Sequence, residues 1–178
     1  VQRAATATFF HRAGWKTVLE KAFGHNTYFL YVQDEGVIVG ILPLAQVKSA
    51  LFGNTLSSLP FCVYGGIVAD NEQAAQALRQ EACRLAESLR VGALELRNRE
   101  ASDTNWPVKE LYFTFRKAIE SDDEVNLKAI PNRQRAMVRK GIDEGLLSEW
   151  DAGIDRLYRV YAESVRNLGT PVFSAQYL

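Results

Sequence analysis

Apolar residues recur at helical spacing near the start of the chain. Trp15, Val18, Leu19, Ala22 and Phe23 predict a helix over residues 13–23, with Gly24 as its stop. Residues 27–33, rich in aromatic and β-branched types, then predict a strand. Asp34, Glu35 and Gly36 supply a turn, and residues 37–48 resume a strand, making a β-hairpin in which Pro43 points to a bulge or an edge position. A Gly- and Ser-rich piece follows over residues 49–66, with a short strand expected at 56–59 and another at 67–69. Asp70 is expected to cap a long helix, with Gln73 at the capping-box position and Ala74, Leu78, Ala82, Leu85 and Leu89 as its buried stripe. Residues 93–97 read as a strand, Leu94 and Leu96 on one face, Glu95 and Arg97 on the other.

After a polar loop at 98–105, a strand is expected at 111–118. A short helix follows at 122–129, then a second helix from Pro131 to about Glu144, with Gly145 at its end. Residues 146–150 form a short strand candidate. Ile154, Leu157, Tyr158, Tyr161, Val165 and Leu168 mark the clearest helix, over 151–168, ended by Gly169 and Pro171. Ser174 reads as the N-cap of one more helix, and a chain stopping there is expected to be part of a longer one. Hairpins and long helices without strict alternation predict an α+β layer fold with a mixed sheet.

Composition narrows the functional classes. The 178 residues are 47% hydrophobic, enough for a sizeable core, and 21 basic residues balance 21 acidic ones. An anion site must therefore be a local patch. Cys62 and Cys83, the only cysteines, read as reduced thiols of a cytoplasmic protein. They and the two histidines, His11 and His25, lack metal-ligand spacing, so no metal is expected. The longest apolar stretch, residues 37–47, is too short to span a bilayer, and residues 1–8 lack a signal core.

The segment 128–140 carries the most informative charge. Arg133, Arg135, Arg139 and Lys140 share about half of a helical wheel at roughly 100° per residue, with Met137, Val138 and Ile142 on the other half. Such a helix buries one side and presents a cationic face whose guanidinium forks suit phosphate or carboxylate. Its Pro-led N-terminus adds free N–H groups. The alternative is a solvated basic face paired with Asp122, Asp123 and Glu124. In the run Phe61 to Gly66, Gly65 and Gly66 allow close approach of backbone to a ligand or make a plain turn, and Tyr64 is a lid or a half-buried ring. Arg97 stands where a strand ends, a common place for ligands. Lys16, beside Trp15 and Arg12, faces solvent or an anion. No nucleophile elbow, Walker loop, dinucleotide loop or carboxylate couple is present, so catalytic residues are not assigned from spacing.

Several segments together resemble the FemAB-like proteins. They are Phe10-His11-Arg12-Ala13-Gly14-Trp15, Leu51-Phe52-Gly53-Asn54, Leu59-Pro60-Phe61-Cys62-Val63-Tyr64-Gly65-Gly66 and Leu94-Glu95-Leu96-Arg97-Asn98. To these are added Asn126 to Pro131 with Arg133 to Gly141, and Tyr161 to Phe173. The resemblance runs nearly end to end and is closest to the subgroup associated with exosortase (PEP-CTERM) and exopolysaccharide systems. It implies two GNAT-like domains, residues 1–145 being the first and 146–178 the opening of the second. It also implies a cytoplasmic transferase that moves an aminoacyl or acyl group to an amine of a cell-wall or exopolysaccharide-related acceptor.

In better-known members the donor is aminoacyl-tRNA and the acceptor a UDP-linked peptidoglycan precursor, held by the first domain partly through basic residues on its phosphates. The resemblance thus casts this chain as the acceptor-binding half, inactive alone, without a cofactor, with a phosphate-bearing acceptor and tRNA as partners. The reaction needs positioning and oxyanion stabilisation rather than a protein nucleophile. Two alternatives stay open: a coenzyme A-dependent N-acyltransferase of the same fold, and a non-catalytic binding module on a GNAT-like scaffold.

Overall fold

The computed structural model describes residues 4, 6–51, 53–99, 105–109 and 113–178. Its contacts fall into two compact units: Val1–Asp103 with Arg156–Leu178, and Thr104–Asp155. The resemblance divides the chain differently, at 145/146, and residues 146–178 are shared between the two units.

The first unit is mixed α+β. Helix α1 (Gly14–Phe23) precedes strands β1 (Asn26–Asp34), β2 (Val37–Ser49), β3 (Gly53–Ser58) and β4 (Val68–Ala69), helix α2 (Glu72–Ser88) and strand β5 (Ala93–Glu95). The sheet runs β1-β2-β3-β5, with β4 on β2; the β3–β5 pair is parallel and the other pairs are antiparallel. The β1–β2 hairpin turns at Glu35 (φ 45°) and Gly36 (φ 83°), the two positive φ values that a tight two-residue hairpin requires.

Alternation along β2 sends side chains to two covered faces. Leu42 and Leu44 join Leu56 beneath Leu78 and Ala82 of α2. Ala45 points the other way and packs with Leu59, Cys62 and Leu19 of α1. The predicted α2 stripe is buried at Ala74, Leu78 and Ala82, and partly covered at Leu85 and Leu89.

Pro43 sits neither in a bulge nor on the sheet edge. The register shift falls at Val32/Gln33, and Pro43 lies opposite Phe29 in a strand flanked on both sides. Along β2, Gly40 and Ile41 pair with β4, while pairing with β3 begins at Leu44. Pro43 thus occupies the gap between two partners, where a missing N–H breaks no ladder. The cap of α2 is Asn71 rather than Asp70: Ala74 N–H donates to Asn71 Oδ1 at 2.8 Å, while Asp70 N–H continues the strand by donating to Val39 O.

The second unit holds α3 (Asp123–Lys128) and α4 (Asn132–Asp143). Asp122 caps α3 by accepting from Glu124 N–H at 2.8 Å. Of the strand expected at 111–118, residues 111 and 112 lie outside the described residues, and residues 113–118 form no strand. Residues 146–150 form none either. Alternating apolar residues supply one face of a strand, but only a neighbouring strand completes its ladder. Met137 and Ile142, expected to bury one side of α4, are 69% and 64% exposed, and Val138 is exposed as well.

Helix α5 (Asp155–Asn167) starts later than expected. It half-buries Tyr158, Tyr161 and Val165, while Leu157 and Leu168 are exposed. Tyr158 Oη donates to Phe173 O at 2.9 Å. The helix expected after Ser174 is a single 3-10 turn, Ala175–Tyr177. Its Tyr177 joins Phe173, Phe23 and Phe61 in an aromatic cluster with ring centroids 4.1–5.7 Å apart.

Candidate functional site

The candidate residues fall in both units. In the first, the loop after β3 is turned by Leu59 to Cys62: Cys62 N–H donates to Leu59 O at 3.2 Å, with Pro60 and Phe61 between them. Leu59 (φ 46°) and Phe61 (φ 69°) both take the left-handed backbone that side chains disfavour, a cost on the order of 1–2 kcal/mol each. Packing holds them there. Leu59 is fully buried, and Phe61 stacks on Phe23 with centroids 4.1 Å apart. Sequence patterning gave no sign of this strain, because nothing local favours a left-handed Leu or Phe.

Gly65 and Gly66 are required by the protein itself. A Cβ on Gly65 would lie 2.6 Å from Leu59 Cβ, and one on Gly66 would lie 2.1 Å from Asn98 Oδ1 and 2.7 Å from Asn98 Cα. Both N–H groups donate to Arg97 O, at 3.2 and 3.0 Å. The backbone that lies against Gly66 is the chain's own segment after β5. Tyr64 is half-buried, with its ring 6.4 Å from that of Phe10.

Arg97 belongs to the same knot. Its Nε donates to Glu95 Oε1 at 2.8 Å and its Nη1 to Cys62 O at 2.9 Å, while its own N–H donates to Ser58 Oγ at 2.7 Å. Its Nε and Nη1 are therefore engaged within the fold. The Cys62 thiol beneath is pushed up to about 11 by burial, against the pull of the Arg97 charge. At neutral pH it is protonated and a poor nucleophile. Lys16 pairs with Glu20 one helical turn away, and Glu20 also accepts from Thr27 Oγ1.

His11 was passed over for lacking a metal motif, yet it ties this region together. Its Nδ1 accepts from Thr8 N–H at 3.1 Å, which places the ring proton on Nε2, 3.0 Å from Gly66 O. Burial pushes it below its ordinary value of 6.5. The Ser57 hydroxyl, buried on β3, has no hydrogen-bond partner among the described residues.

The second unit holds the cationic helix, and its four basic residues separate. Arg135 is structural: its Nη2 donates to Lys128 O at 2.6 Å and Ile130 O at 2.9 Å, and its Nε to Ile130 O at 3.2 Å. These carbonyls end α3, where helices lack internal donors. Arg133 is exposed. Arg139 and Lys140 are exposed on a solvent-open face of α4 that also carries Asn132, Arg135, Ala136, Asp143 and Glu144.

Among the described residues, Arg139, Lys140, Asp143 and Glu144 make no ion pair or side-chain hydrogen bond. Asn132, Asp143 and Glu144 were not singled out from the sequence. The spacing that could have found them is i,i+4 from Lys128, Arg139 and Lys140 respectively. No group of three or more potential metal ligands occurs among the described residues, and none of their helices is long and apolar enough to cross a membrane.

This arrangement offers charge recognition on α4 and a rigid, self-satisfied knot around Arg97, with no activated nucleophile among the described residues. Compared with known proteins, the chain matches no family model and no curated protein.

Proposed function

We propose that this chain is the acceptor-binding half of a FemAB-type N-acyl- or aminoacyltransferase with a GNAT-like fold. In this reading the enzyme is cytoplasmic, and its acceptor is a phosphate-bearing, amine-containing precursor of the cell wall or of an exopolysaccharide. Aminoacyl-tRNA is the donor, and residues 1–145 correspond to the first GNAT-like domain. The motif resemblance motivates the reading, and the mixed sheet flanked by helices is compatible with it.

The observation that carries it is the solvent-open cationic face of α4. There Arg139 and Lys140 stand unpaired among the described residues, held by a helix whose position is set by Arg135. Unpaired cations beside open space recognise an anion without first breaking an existing pair. The role that falls to this chain is to bind and orient, which suits amine attack on an ester. Arg97, Gly65 and Gly66 shape the loop after β3.

The test is the melting temperature of the chain with a UDP-linked peptidoglycan precursor, with UDP and with coenzyme A. A ligand that binds only the folded state raises it. A rise with the precursor that Arg139→Ala/Lys140→Ala removes is the expected result. No rise with the precursor, or a rise untouched by that double variant, would overturn the assignment. A rise confined to coenzyme A would favour an acyl-CoA-dependent enzyme.

A further inference from the structure

The sheet ends on two very different edges. β5, on one side, is three residues long, and so short a strand offers little to pair with. β1, on the other, runs for nine residues and pairs only with β2. Antiparallel strands bond through alternate residues, so about half of the β1 backbone groups point away from β2. Among the described residues, none of them takes part in another backbone hydrogen bond. The one irregularity of the hairpin leaves β1 uninterrupted. Val32 pairs with Gly40 and Gln33 with Ile38, so the extra residue, Val39, belongs to β2. Natural edges are blunted by charges, prolines or bulges, and β1 has none of these before its last residue, Asp34. Thr27, Tyr28, Phe29, Tyr31 and Val32 are instead the residue types that favour pairing. Tyr28, Leu30 and Val32 lie against the core under α2, and Phe29 against the one under α1, but Tyr31 is 62% exposed.

We infer that β1 is a docking edge and that its occupant is β1 of a second copy of this chain, antiparallel about a two-fold axis at Leu30. Such an axis, perpendicular to the sheet, must pass through a residue rather than between two, because opposed residues share a face and successive ones do not. Leu30 is the middle of the strand, so all nine residues find a partner. Tyr31 then stands opposite the partner's Phe29, an aromatic cross-strand pair that the symmetry makes twice. Asp34 stands opposite the partner's Asn26, so no like charges face each other. This self-complementarity is what favours a second copy over an unrelated strand. The two five-stranded sheets become one, and the contact lies wholly in the first unit, independent of α4.

Analytical ultracentrifugation of this chain from about 5 to 500 μM tests the inference, a range suited to a small interface. The expected result is a reversible shift from monomer toward dimer. Tyr31→Glu should weaken association by about two- to thirtyfold, the range of two cross-strand pairs. Asn26→Lys should strengthen it, by setting opposite charges across the axis, and Asn26→Asp should weaken it, by setting like ones. The chain is net neutral, so a mere effect of overall charge would act alike in the two Asn26 variants. Residues 26 and 31 are exposed, and matching circular dichroism verifies that the variants fold. A chain that stays monomeric throughout would overturn the inference. So would association that Tyr31→Glu leaves unchanged, or that the two Asn26 variants do not move in opposite directions. The exposed apolar residues of the second unit are the competing contact, and association through them would ignore all three variants.

Discussion

The two units of this chain bury their apolar residues to very different extents. In the first, Leu42, Leu44, Leu56, Leu59 and Leu78 are fully buried around a sheet. In the second, no described residue is buried, and Phe113, Phe115, Met137, Leu147 and Trp150 are 69–103% exposed. A sheet has two faces, and in the first unit α2 covers one and α1 the other. Two short helices have only a stripe each, and in the second unit the stripe of α4 meets no facing layer among the described residues. Cohesion there comes from capping, with Asp122 at the start of α3 and Arg135 at its end. Buried apolar packing is thus concentrated in one unit.

The sharpest way to break this contrast is to delete equivalent side chains from both. Leu56→Ala should cost about 2–5 kcal/mol, because a fully buried leucine leaves a cavity. Leu147→Ala should cost less than about 0.5 kcal/mol, as exposed substitutions do. Urea unfolding reads both, and similar losses would mean that the second unit has a core after all. Next in size is Gly66→Ala, expected to cost about 1–3 kcal/mol, since Asn98 must move to admit the methyl group. If its unfolding midpoint matches wild type, the loop is looser than the contacts around Arg97 indicate.

Arg135→Ala should cost about 1–2 kcal/mol, confined to the second unit, by stripping the donors from the end of α3. Amide exchange should quicken over residues 126–130 and stay unchanged in β2. Arg135→Lys should not restore protection, because an ammonium cannot span two carbonyls as the fork does. Uniform quickening across the chain would instead couple the two units.

The smallest effect concerns pH. Burial lowers the His11 pKa below 6.5, so the unfolded chain binds the proton more readily than the folded one. Its contribution is fully present above pH 6.5 and is lost as pH falls from there through the folded value. Protonated Nδ1 would also face the Thr8 N–H as donor against donor. Melting temperature measured from pH 7.5 to 5 should therefore fall less steeply in His11→Gln than in wild type. Parallel curves would remove His11 from the account.

Much of the first unit was legible in advance because its signals are local. The hairpin turn at Glu35 and Gly36, the end of α1 at Gly24 and the stripe of α2 all depend on neighbours a few residues away. The cationic helix was legible for the same reason, with bounds within a residue or two of those observed. The individual roles within it were not. Arg133, Arg135, Arg139 and Lys140 look alike on a helical wheel, and only the fold turns Arg135 back onto Lys128 and Ile130 and leaves Arg139 and Lys140 beside open space.

Gly65, Gly66 and Arg97 mark the same division. Residue type alone pointed to a ligand or a plain turn at the glycines and to a charge at a strand end. That Asn98 is what comes close, and that Arg97 is engaged by Cys62 O, depends on segments more than thirty residues apart meeting beside the sheet. The sequence by itself determined the hairpin turn, the end of α1 and the extent of α4 to within a residue or two, because capping, periodicity and charge spacing act over a few residues. The tertiary structure alone decided which apolar faces find a partner and which cations remain unpaired, because burial and pairing depend on what distant parts of the chain bring alongside.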